Sequence, residues 1–168
     1  MEAARLAAAE DVAVLARLVR GAHEELGAMR GGALFVVREA RAEPVEESLT
    51  ADLADDAAMV VLGTIDGTPV GYGIGRLDRL RDGRRLGVVT DLYVEAGARS
   101  VGVGEAVMAR LVEWFTDRGC IGADATALPG NRATKNFFEE SGFTARLLVM
   151  HRSLTPDGHP GAGEADPA

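Results

Sequence analysis

Residues 87–128 constrain the fold of this chain more than any other feature, because a strand pattern, a helix pattern and a second strand pattern follow one another there. The β-branched run at 87–94 predicts the first strand, and 120–128 predicts the second. The helix predicted at 102–118 has one apolar face, made of Val103, Ala106, Val107, Leu111, Trp114 and Phe115. A strand–helix–strand connection within one sheet is right-handed and joins parallel strands. We therefore predict a parallel strand pair.

The residues before this run have the pattern of antiparallel strands. Residues 59–65 and 70–77 predict two strands joined at Asp66-Gly67, a dipeptide typical of tight hairpin turns. A second turn at Asp82-Gly83 leads into the strand at 87–94. Because tight turns join antiparallel neighbours, these three strands form a predicted meander. Together with the parallel pair, the meander predicts an α/β fold with a mixed sheet.

The N-terminal third of the chain supplies one strand and two helices. Residues 3–7 predict a short edge strand, and a helical stripe that follows Asp11 ends at Gly27. A second helix is predicted at 44–55, where Pro44 suits a first helical turn. The segment at 28–42 is ambiguous.

The C-terminal residues predict a short helix, a last strand and a tail. Asn131 is a good N-cap for a helix that extends to about residue 141 and closes at Gly142. Residues 143–154 predict one last strand, or two strands broken by a bend. Residues 155–168 hold three of the six prolines and no apolar period, so we expect a disordered tail. A length of 168 residues then predicts one domain over residues 1–154.

Composition excludes several classes of function. The formal net charge is −8, which makes nucleic acid a poor partner because duplex binding requires a basic face. No apolar run reaches the roughly 18 residues that a membrane span needs, and the N-terminus lacks the layout of a signal peptide. The single cysteine, Cys120, rules out an intramolecular disulfide and fits a reducing compartment. We expect a cytoplasmic protein without a membrane or nucleic-acid partner.

The segment that carries chemistry is the hexamer Arg99-Ser100-Val101-Gly102-Val103-Gly104, between a predicted strand and a predicted helix. Glycines at a helix start let backbone N–H groups approach an anion closely, and the helix dipole adds positive potential. Arg99 adds a planar cation suited to phosphate. In a chain of net charge −8, an anionic ligand must be held by such local donors. The hexamer therefore predicts a polyphosphate site.

Two other phosphate-binding motifs do not fit this hexamer. The dinucleotide fingerprint requires Gly or Ala where this chain has Val107. In that fingerprint the first glycine follows the strand immediately, whereas in this chain several residues separate the strand from Gly102. A P-loop requires a lysine, which the hexamer lacks. Taken alone, the hexamer is a weak signal, because glycine pairs also start helices that bind nothing.

Residues 88–143 resemble the GNAT superfamily of acyl-CoA-dependent N-acetyltransferases. The strand from Val89 to Val94 precedes the Arg-x-x-Gly-x-Gly hexamer at the usual distance, and the run from Asn131 to Phe143 is similar to the second signature of the family. Several motifs in the correct order are more specific than any one of them. The resemblance implies a mixed, mostly antiparallel sheet with a parallel splayed strand pair at its centre and helices on both faces.

The resemblance also implies acetyl-CoA as co-substrate, bound where the strand at 87–94 splays from the strand at 120–128. The main chain of the first strand would pair with the pantetheine arm, amides of the hexamer would hold the diphosphate, and residues around the second signature would flank the thioester. The residues assigned to acetyl-CoA in this way are Leu92, Tyr93, Val94, Arg99, Ser100, Val101, Gly102, Val103, Gly104, Asn131, Phe137 and Phe138.

The resemblance implies a catalytic role for Asp91, which stands where the family often has an acidic residue on the central strand. Tyr93 is the second catalytic candidate, because the period of two places it beside Asp91 on the acceptor side if Leu92 and Val94 face the other way. An amine of lysine type is mostly protonated at pH 7, so a group must take a proton. Asp91 either accepts that proton through water or only positions other groups, and the sequence leaves both roles open. Where the family frequently has a tyrosine that protonates the leaving thiolate, this chain has Phe138, which has no proton to give.

The function implied by the resemblance is direct transfer of an acetyl group to a primary amine, on a small cationic molecule or a protein. The alternative is a non-catalytic acyl-CoA-binding module, which the Phe138 departure favours, and a third interpretation is a different nucleotide-binding domain. Members of the family often form homodimers, but the sequence specifies no interface.

The remaining polar residues have simpler interpretations. His23 and His151 are far apart in sequence and lack further ligands, so no metal is expected. The acidic cluster near the second predicted helix is interpreted as a solvated helix face, with attraction of a cationic acceptor as the alternative. Its members are Glu43, Glu46, Glu47, Asp52, Asp55 and Asp56.

Overall fold

The computed structural model describes residues 1–154, so the tail predicted at 155–168 lies outside the described residues. The strands and helices are β1 (Glu2–Leu6), α1 (Val12–Gly27), α2 (Gly32–Arg38), α3 (Val45–Ala54), β2 (Ala58–Ile65), β3 (Thr68–Arg79), β4 (Arg85–Val94), α4 (Val103–Asp117), β5 (Cys120–Ala125) and α5 (Arg132–Glu140). Short 3-10 turns precede α1 and α4. No helix among residues 1–154 has the length and apolarity needed to cross a membrane.

The chain divides into two compact units. The sheet unit comprises Met1–His23 and Arg41–Thr126, and the helical unit comprises Glu24–Ala40 and, of the described residues, 127–154. All five strands, α3 and α4 belong to the sheet unit. The ambiguous segment of the sequence contains α2, which belongs to the helical unit with α5.

The sheet has the strand order β1-β2-β3-β4-β5 and is antiparallel except for the parallel pair β4–β5. This arrangement confirms the predicted meander and the predicted crossover. The hairpin between β2 and β3 turns at Asp66 (φ 48°) and Gly67 (φ 82°), and two consecutive positive φ angles are what the tightest hairpin turns require. In the sheet that residues 1–154 form, the parallel pair comprises the last two strands of the order.

The prediction of a last strand at 143–154 is wrong. Those residues contain neither helix nor strand. The apolar pattern that suggested a strand is present in the sequence, but a strand also requires a neighbouring backbone to satisfy its N–H and C=O groups.

Helix α4 lies close against one face of the sheet because glycines line its footprint. A Cβ atom built on any of these glycines would lie only 2.5–2.8 Å from a side chain of α4. The four positions are Gly63, Gly73, Gly75 and Gly87. Such distances are shorter than van der Waals contact, so larger residues would displace the helix from the sheet.

The opposite face of the sheet carries the main hydrophobic core under α1 and α3. Its members are buried side chains from both helices and from β2 and β3, namely Leu15, Ala16, Leu18, Val19, Val45, Leu49, Val60, Leu62, Tyr72 and Ile74. Tyr93 of β4 packs against this cluster. The sheet is thus covered by helices on both faces, as the sequence predicts.

We expect Gly87→Val to lower the free energy of unfolding by about 1–3 kcal/mol, the usual cost of forcing extra methyl groups into a packed core. The reason is that the new Cβ would lie 2.5 Å from the Phe115 ring. Gly122→Val on β5 is the control, because its Cβ would lie 3.8 Å from the Leu86 side chain, at ordinary contact distance. Urea unfolding measures both variants, and equal losses would contradict the close approach of α4.

Candidate active site

A β-bulge in β4 decides which side chains face the candidate site. Asp91 lies opposite Ile74 of β3, whereas Val89 lies opposite Gly75, so Thr90 is an extra residue in β4. A bulge interrupts the alternation of side chains along a strand. Beyond the bulge, Asp91 and Tyr93 project to the face covered by α1 and α3, as the sequence predicts.

The strands β4 and β5 separate beyond the bulge. Their parallel pairing ends with Val89 opposite Ala125, so the last four residues of β4, Asp91–Val94, pair with β3 but not with β5. Within residues 1–154, the other main-chain edge of Leu92–Val94 therefore has no strand beside it. The carbonyl oxygen of Val94 accepts a hydrogen bond of 2.8 Å from Nε of Arg99. This open edge lies where the sequence predicts that the pantetheine arm is bound.

The hexamer after β4 forms a turn that ends at the start of α4. Ser100 (φ 62°) and Gly102 (φ 97°) both have left-handed backbone conformations, and α4 begins at Val103. The N-cap residue is Gly102, which has no side chain to cap this end of the helix. The N–H groups of a first helical turn have no partner within the helix, so an uncapped end is suited to an anion. Arg99 is exposed beside this turn, with its guanidinium carbon 5.7 Å from the centre of the Tyr93 ring.

Asp91 is held by four hydrogen bonds. Arg41 donates from Nε to Oδ1 at 3.0 Å and from Nη2 to Oδ2 at 2.9 Å. The hydroxyl of Tyr72 contacts Oδ1 at 3.3 Å, and the hydroxyl of Thr90 contacts Oδ2 at 2.8 Å. A carboxylate has about four acceptor sites, so those of Asp91 are taken. Between the two roles that the sequence leaves open, this geometry favours positioning, because an amine would have to displace a partner to reach either oxygen.

Arg41 connects Asp91 to a second buried carboxylate. The Arg41 side chain is 12% exposed, that of Asp91 is also 12% exposed and that of Asp52 is 7% exposed. Nη2 of Arg41 lies 2.6 Å from Oδ2 of Asp52, a contact with the distance of an ion pair but without an aligned hydrogen bond. Asp52 also pairs with Arg76, which in turn binds Asp55 at 2.8 Å. Burial opposes the charge of Arg41, but the two carboxylates outweigh it and raise the pKa of its guanidinium.

The two tyrosines of the site differ in their surroundings. The Tyr72 side chain is buried in the core, and burial together with the charge of Asp91 raises the pKa of its phenol well above 10. Tyr93 is half-buried, and its hydroxyl lies 3.3 Å from the Cβ position that a side chain on Gly21 of α1 would occupy. Tyr93 is therefore the more accessible of the two phenols.

The predicted residues of the second signature lie in the helical unit. Asn131 caps α5, because its Oδ1 accepts a hydrogen bond of 3.0 Å from the N–H of Thr134. Phe138 is 7% exposed, and its ring centre lies 5.8 Å from that of Phe137 and 5.4 Å from that of Phe143. Capping by Asn131 agrees with the sequence prediction, and Phe138 is a packing residue of this unit.

The acidic cluster near α3 is largely paired with arginines. Arg20 binds Glu43 and Glu46 on the surface at 2.8–2.9 Å. Buried Asp52 and partly exposed Asp55 both pair with Arg76. These pairs neutralise much of the charge that would attract a cationic acceptor, and they favour the interpretation as part of a helix face.

Two residues of this site are absent from the sequence predictions. Arg41 lies in the ambiguous segment, 50 positions from Asp91, and nothing in its local sequence indicates its partners. His23 was considered only as a metal ligand, and it is half-buried on α1. Burial is the main influence on its imidazole, and the nearby charges are those of Asp91, Glu43, Arg41 and Arg20.

The stability of the protein is expected to fall between pH 7.5 and pH 5.5, partly because of His23. Burial lowers the pKa of His23 below its ordinary value of 6.5, so the unfolded chain binds its proton at a higher pH than the folded protein does. The contribution of His23 is therefore complete above pH 6.5 and is lost as the pH falls toward the folded pKa. Urea unfolding of His23→Gln should show a weaker pH dependence over this range. His151→Gln, at an exposed position, is the control, and an equal change in both variants would contradict the assignment.

Comparison with known proteins identifies the family. The model of the acetyltransferase (GNAT) family matches residues 26–143. Glucosamine 6-phosphate N-acetyltransferase 1 of Oryza sativa subsp. japonica is 32% identical over 106 residues, and the match spans 62% of this chain and 62% of that protein. The chain thus matches somewhat less than two thirds of the length of this curated relative.

Solved structures agree on the fold. The tetramutant of the BH1408 protein from Bacillus halodurans has a TM-score of 0.76 at 18% identity, covering 90% of this chain and 99% of that chain. AAC(6')-Iy in complex with the bisubstrate analogue CoA-S-monomethyl-acetylneamine has a TM-score of 0.69 at 15% identity, covering 92% of this chain and 99% of that chain. Because the family model covers well over half of the sequence, this chain belongs to the GNAT acetyltransferase family.

Proposed function

We propose that this protein is an N-acetyltransferase that moves the acetyl group of acetyl-CoA directly to a primary amine. The observation that carries the proposal is that β4 and β5 stop pairing at Val89 and Ala125, and that the turn after β4 brings Gly102 to the N-cap of α4. An extended thioester arm and a diphosphate require these two features in this order. The family to which the chain belongs, and the solved relative with a bound CoA analogue, support the same donor.

The sheet unit supplies most of the cofactor contacts in this proposal. The main chain of Leu92–Val94 pairs with the pantetheine amides as an added strand would, and backbone N–H groups from Arg99 to Gly104 bind the diphosphate. The dipole of α4 offsets the repulsion that a chain of net charge −8 exerts on an anion.

The reaction is a direct displacement. The amine nitrogen attacks the thioester carbonyl carbon, a C–N bond forms, and the C–S bond breaks as CoA leaves as a thiolate. A main-chain N–H near Leu92–Val94 stabilises the negative oxygen of the intermediate. The amine gives up one proton to water, and the thiolate takes one up. Asp91 positions Arg41 and the bulged part of β4 and is not itself the base.

Tyr93 is proposed as the group that donates a proton to the thiolate. It is the more accessible phenol of the site, it follows Asp91 on the same face of β4, and Phe138 cannot serve. Since thiols ionise only slightly above neutral pH, the help that the leaving group needs is modest.

We expect Tyr93→Phe to lower kcat about 100-fold, at the lower end of the usual contribution of acid catalysis, with little effect on the affinity for acetyl-CoA. Asp91→Asn is the companion variant. It should lower kcat without moving the pH profile, because a positioning residue does not titrate in the reaction. Steady-state kinetics between pH 6 and pH 9 measure both variants. Full activity of the Tyr93→Phe enzyme would contradict the role of Tyr93. A kcat of the Asp91→Asn enzyme that no longer rises with pH would contradict the positioning role of Asp91.

The function itself is tested by release of free CoA thiol from acetyl-CoA in the presence of amines. The panel contains an aminoglycoside, a polyamine, glucosamine 6-phosphate and a peptide with a free amino group. Thiol release that depends on one of these amines, with an acetylated product of matching mass, is the expected result. Binding of acetyl-CoA without turnover across a broad panel would favour a non-catalytic module. Tight binding of NAD or ATP but not of acetyl-CoA would overturn the proposal.

A further inference from the structure

A surface cavity of about 270 Å³ lies in the sheet unit, where β3 ends and β4 begins. The candidate active site is at the other end of β4, so most of the length of this strand separates the two places. The backbones of Ala57 and Leu77, which line the cavity, are joined by a hydrogen bond of 2.9 Å. The rest of the lining is charged and consists of Asp56, Asp78, Arg79, Arg85 and Arg118. None of these residues takes part in the proposed reaction.

The fold brings the three arginines of this cavity together. Arg79 and Arg85 lie directly opposite each other in the register of β3 and β4. Nη1 of Arg85 donates a hydrogen bond of 2.9 Å to the main-chain carbonyl oxygen of Arg118, the residue after α4. The guanidinium carbon of Arg118 lies 5.4 Å from the centre of the Trp114 ring. Cationic side chains from β3, β4 and the end of α4 therefore border one cavity.

These three arginines form no ion pair within the described chain. Arg84, in the turn between β3 and β4, binds Asp82 at 2.7 Å, whereas none of the three pairs with a carboxylate of residues 1–154. This is unexpected, because two aspartates line the same cavity and acidic residues outnumber basic ones by 26 to 18 in the sequence. Like charges directly opposite on neighbouring strands destabilise a sheet. The folded protein thus has an electrostatic cost at this position, which a bound anion would relieve.

We propose that this cavity binds a small phosphate monoester that carries hydroxyl groups, independently of acetyl-CoA. Guanidinium groups present paired N–H donors that match the oxygens of a phosphate, so the arginines hold the anionic group. An ionised carboxylate only accepts hydrogen bonds, so Asp56 and Asp78 bind the hydroxyl groups of the ester and repel a second anionic group. The cavity is slightly smaller than the usual pocket for a drug-sized molecule, which suits an ester with few carbon atoms.

Isothermal titration calorimetry of the full-length protein with glycerol 3-phosphate tests the ligand class. Acetyl-CoA is present in excess, so that its own site does not take up the added anion. We expect saturable binding of one molecule per chain, weaker binding of inorganic phosphate and no binding of glycerol. Absence of binding by glycerol 3-phosphate, or an equal affinity for inorganic phosphate, would overturn the proposal.

Two arginine variants test whether the cavity is the site. Arg79→Gln should weaken the binding of glycerol 3-phosphate about 10-fold, because it removes a charged donor. In phosphate-free buffer it should not lower the stability to urea, because it removes one of two facing charges. Arg81→Gln is the matched control, since Arg81 is also exposed near the end of β3 but does not line the cavity. Unchanged binding by Arg79→Gln, or equal losses in both variants, would reject the cavity as the site.

Backbone amide signals in nuclear magnetic resonance spectra give the position of the bound ester directly. With acetyl-CoA present, glycerol 3-phosphate should shift the signals of residues 77–79, Arg85 and Arg118 and leave those of residues 102–104 in place. Shifts confined to residues 99–104 would place the ester in the turn before α4 and would also reject the proposal.

Discussion

Arg41→Leu is expected to lower the free energy of unfolding by about 3–5 kcal/mol, which is the usual cost of removing one partner from a buried ion pair. The variant leaves the carboxylates of Asp91 and Asp52 in the interior without their shared guanidinium. Arg76 still neutralises Asp52, but Asp91 would keep only the hydroxyls of Tyr72 and Thr90. Urea unfolding measures the loss. If Arg41 organises the acceptor side, activity should fall even at temperatures where the variant stays folded.

Arg20→Leu is a matched control for this prediction. Arg20 also binds two carboxylates, those of Glu43 and Glu46, but all three side chains are 41–57% exposed. Water and salt screen such a surface pair, so its loss should cost far less than the loss of Arg41. Equal effects of the two variants would contradict the importance of burial in the network of Arg41.

Gly102→Val is expected to weaken acetyl-CoA binding about 100-fold. Gly102 has a φ of 97°, which a β-branched residue adopts only with strain, and the new Cβ would lie 3.2 Å from the Glu2 side chain. The turn before α4 would have to rearrange, and its N–H groups would no longer converge on one diphosphate. The loss of one or two hydrogen bonds to a charged group, at about 1.5–3 kcal/mol each, accounts for a change of this size. Isothermal titration calorimetry measures the affinity.

Gly119→Val separates loss of the binding site from loss of stability. Gly119 follows α4 at its other end, has a φ of 70° and has no other atom within 4 Å of its Cβ position. A valine at this position causes a similar backbone strain next to the same helix, but the position lies outside the candidate site. The Gly119 variant should keep its affinity for acetyl-CoA. Similar affinities for both variants would show that the turn at Gly102 does not bind the cofactor.

Local patterns were sufficient to predict the sheet unit. The dipeptides Asp66-Gly67 and Asp82-Gly83 predicted two hairpins because positive φ angles suit glycine, and Gly67 and Gly83 have them. The apolar face of α4 and the strands on either side of it predicted the parallel pair. These signals depend on residues close in sequence, and they are therefore visible without the structure.

Features that depend on distant contacts could not be predicted. The bulge at Thr90 inserts one residue opposite β3, and no residue type in β4 indicates that a bulge occurs there. Asp91 was identified as a candidate base from its position in the strand, whereas its partner Arg41 comes from the segment at 28–42, which has no clear period. The strand predicted at 143–154 is wrong, because an apolar run forms a strand only where a neighbouring edge is available to pair with it.

The central claim is that the turn from Arg99 to Gly104 holds the diphosphate of acetyl-CoA through main-chain N–H groups. Its most direct test is a titration of the isotope-labelled protein with acetyl-CoA, followed by the backbone amide signals in nuclear magnetic resonance spectra. The account predicts saturable shifts that are largest for Gly102, Val103 and Gly104, and predicts that the Gly102→Val protein shows none of them. Amide signals of this turn that stay in place while acetyl-CoA binds and shifts residues elsewhere would contradict it.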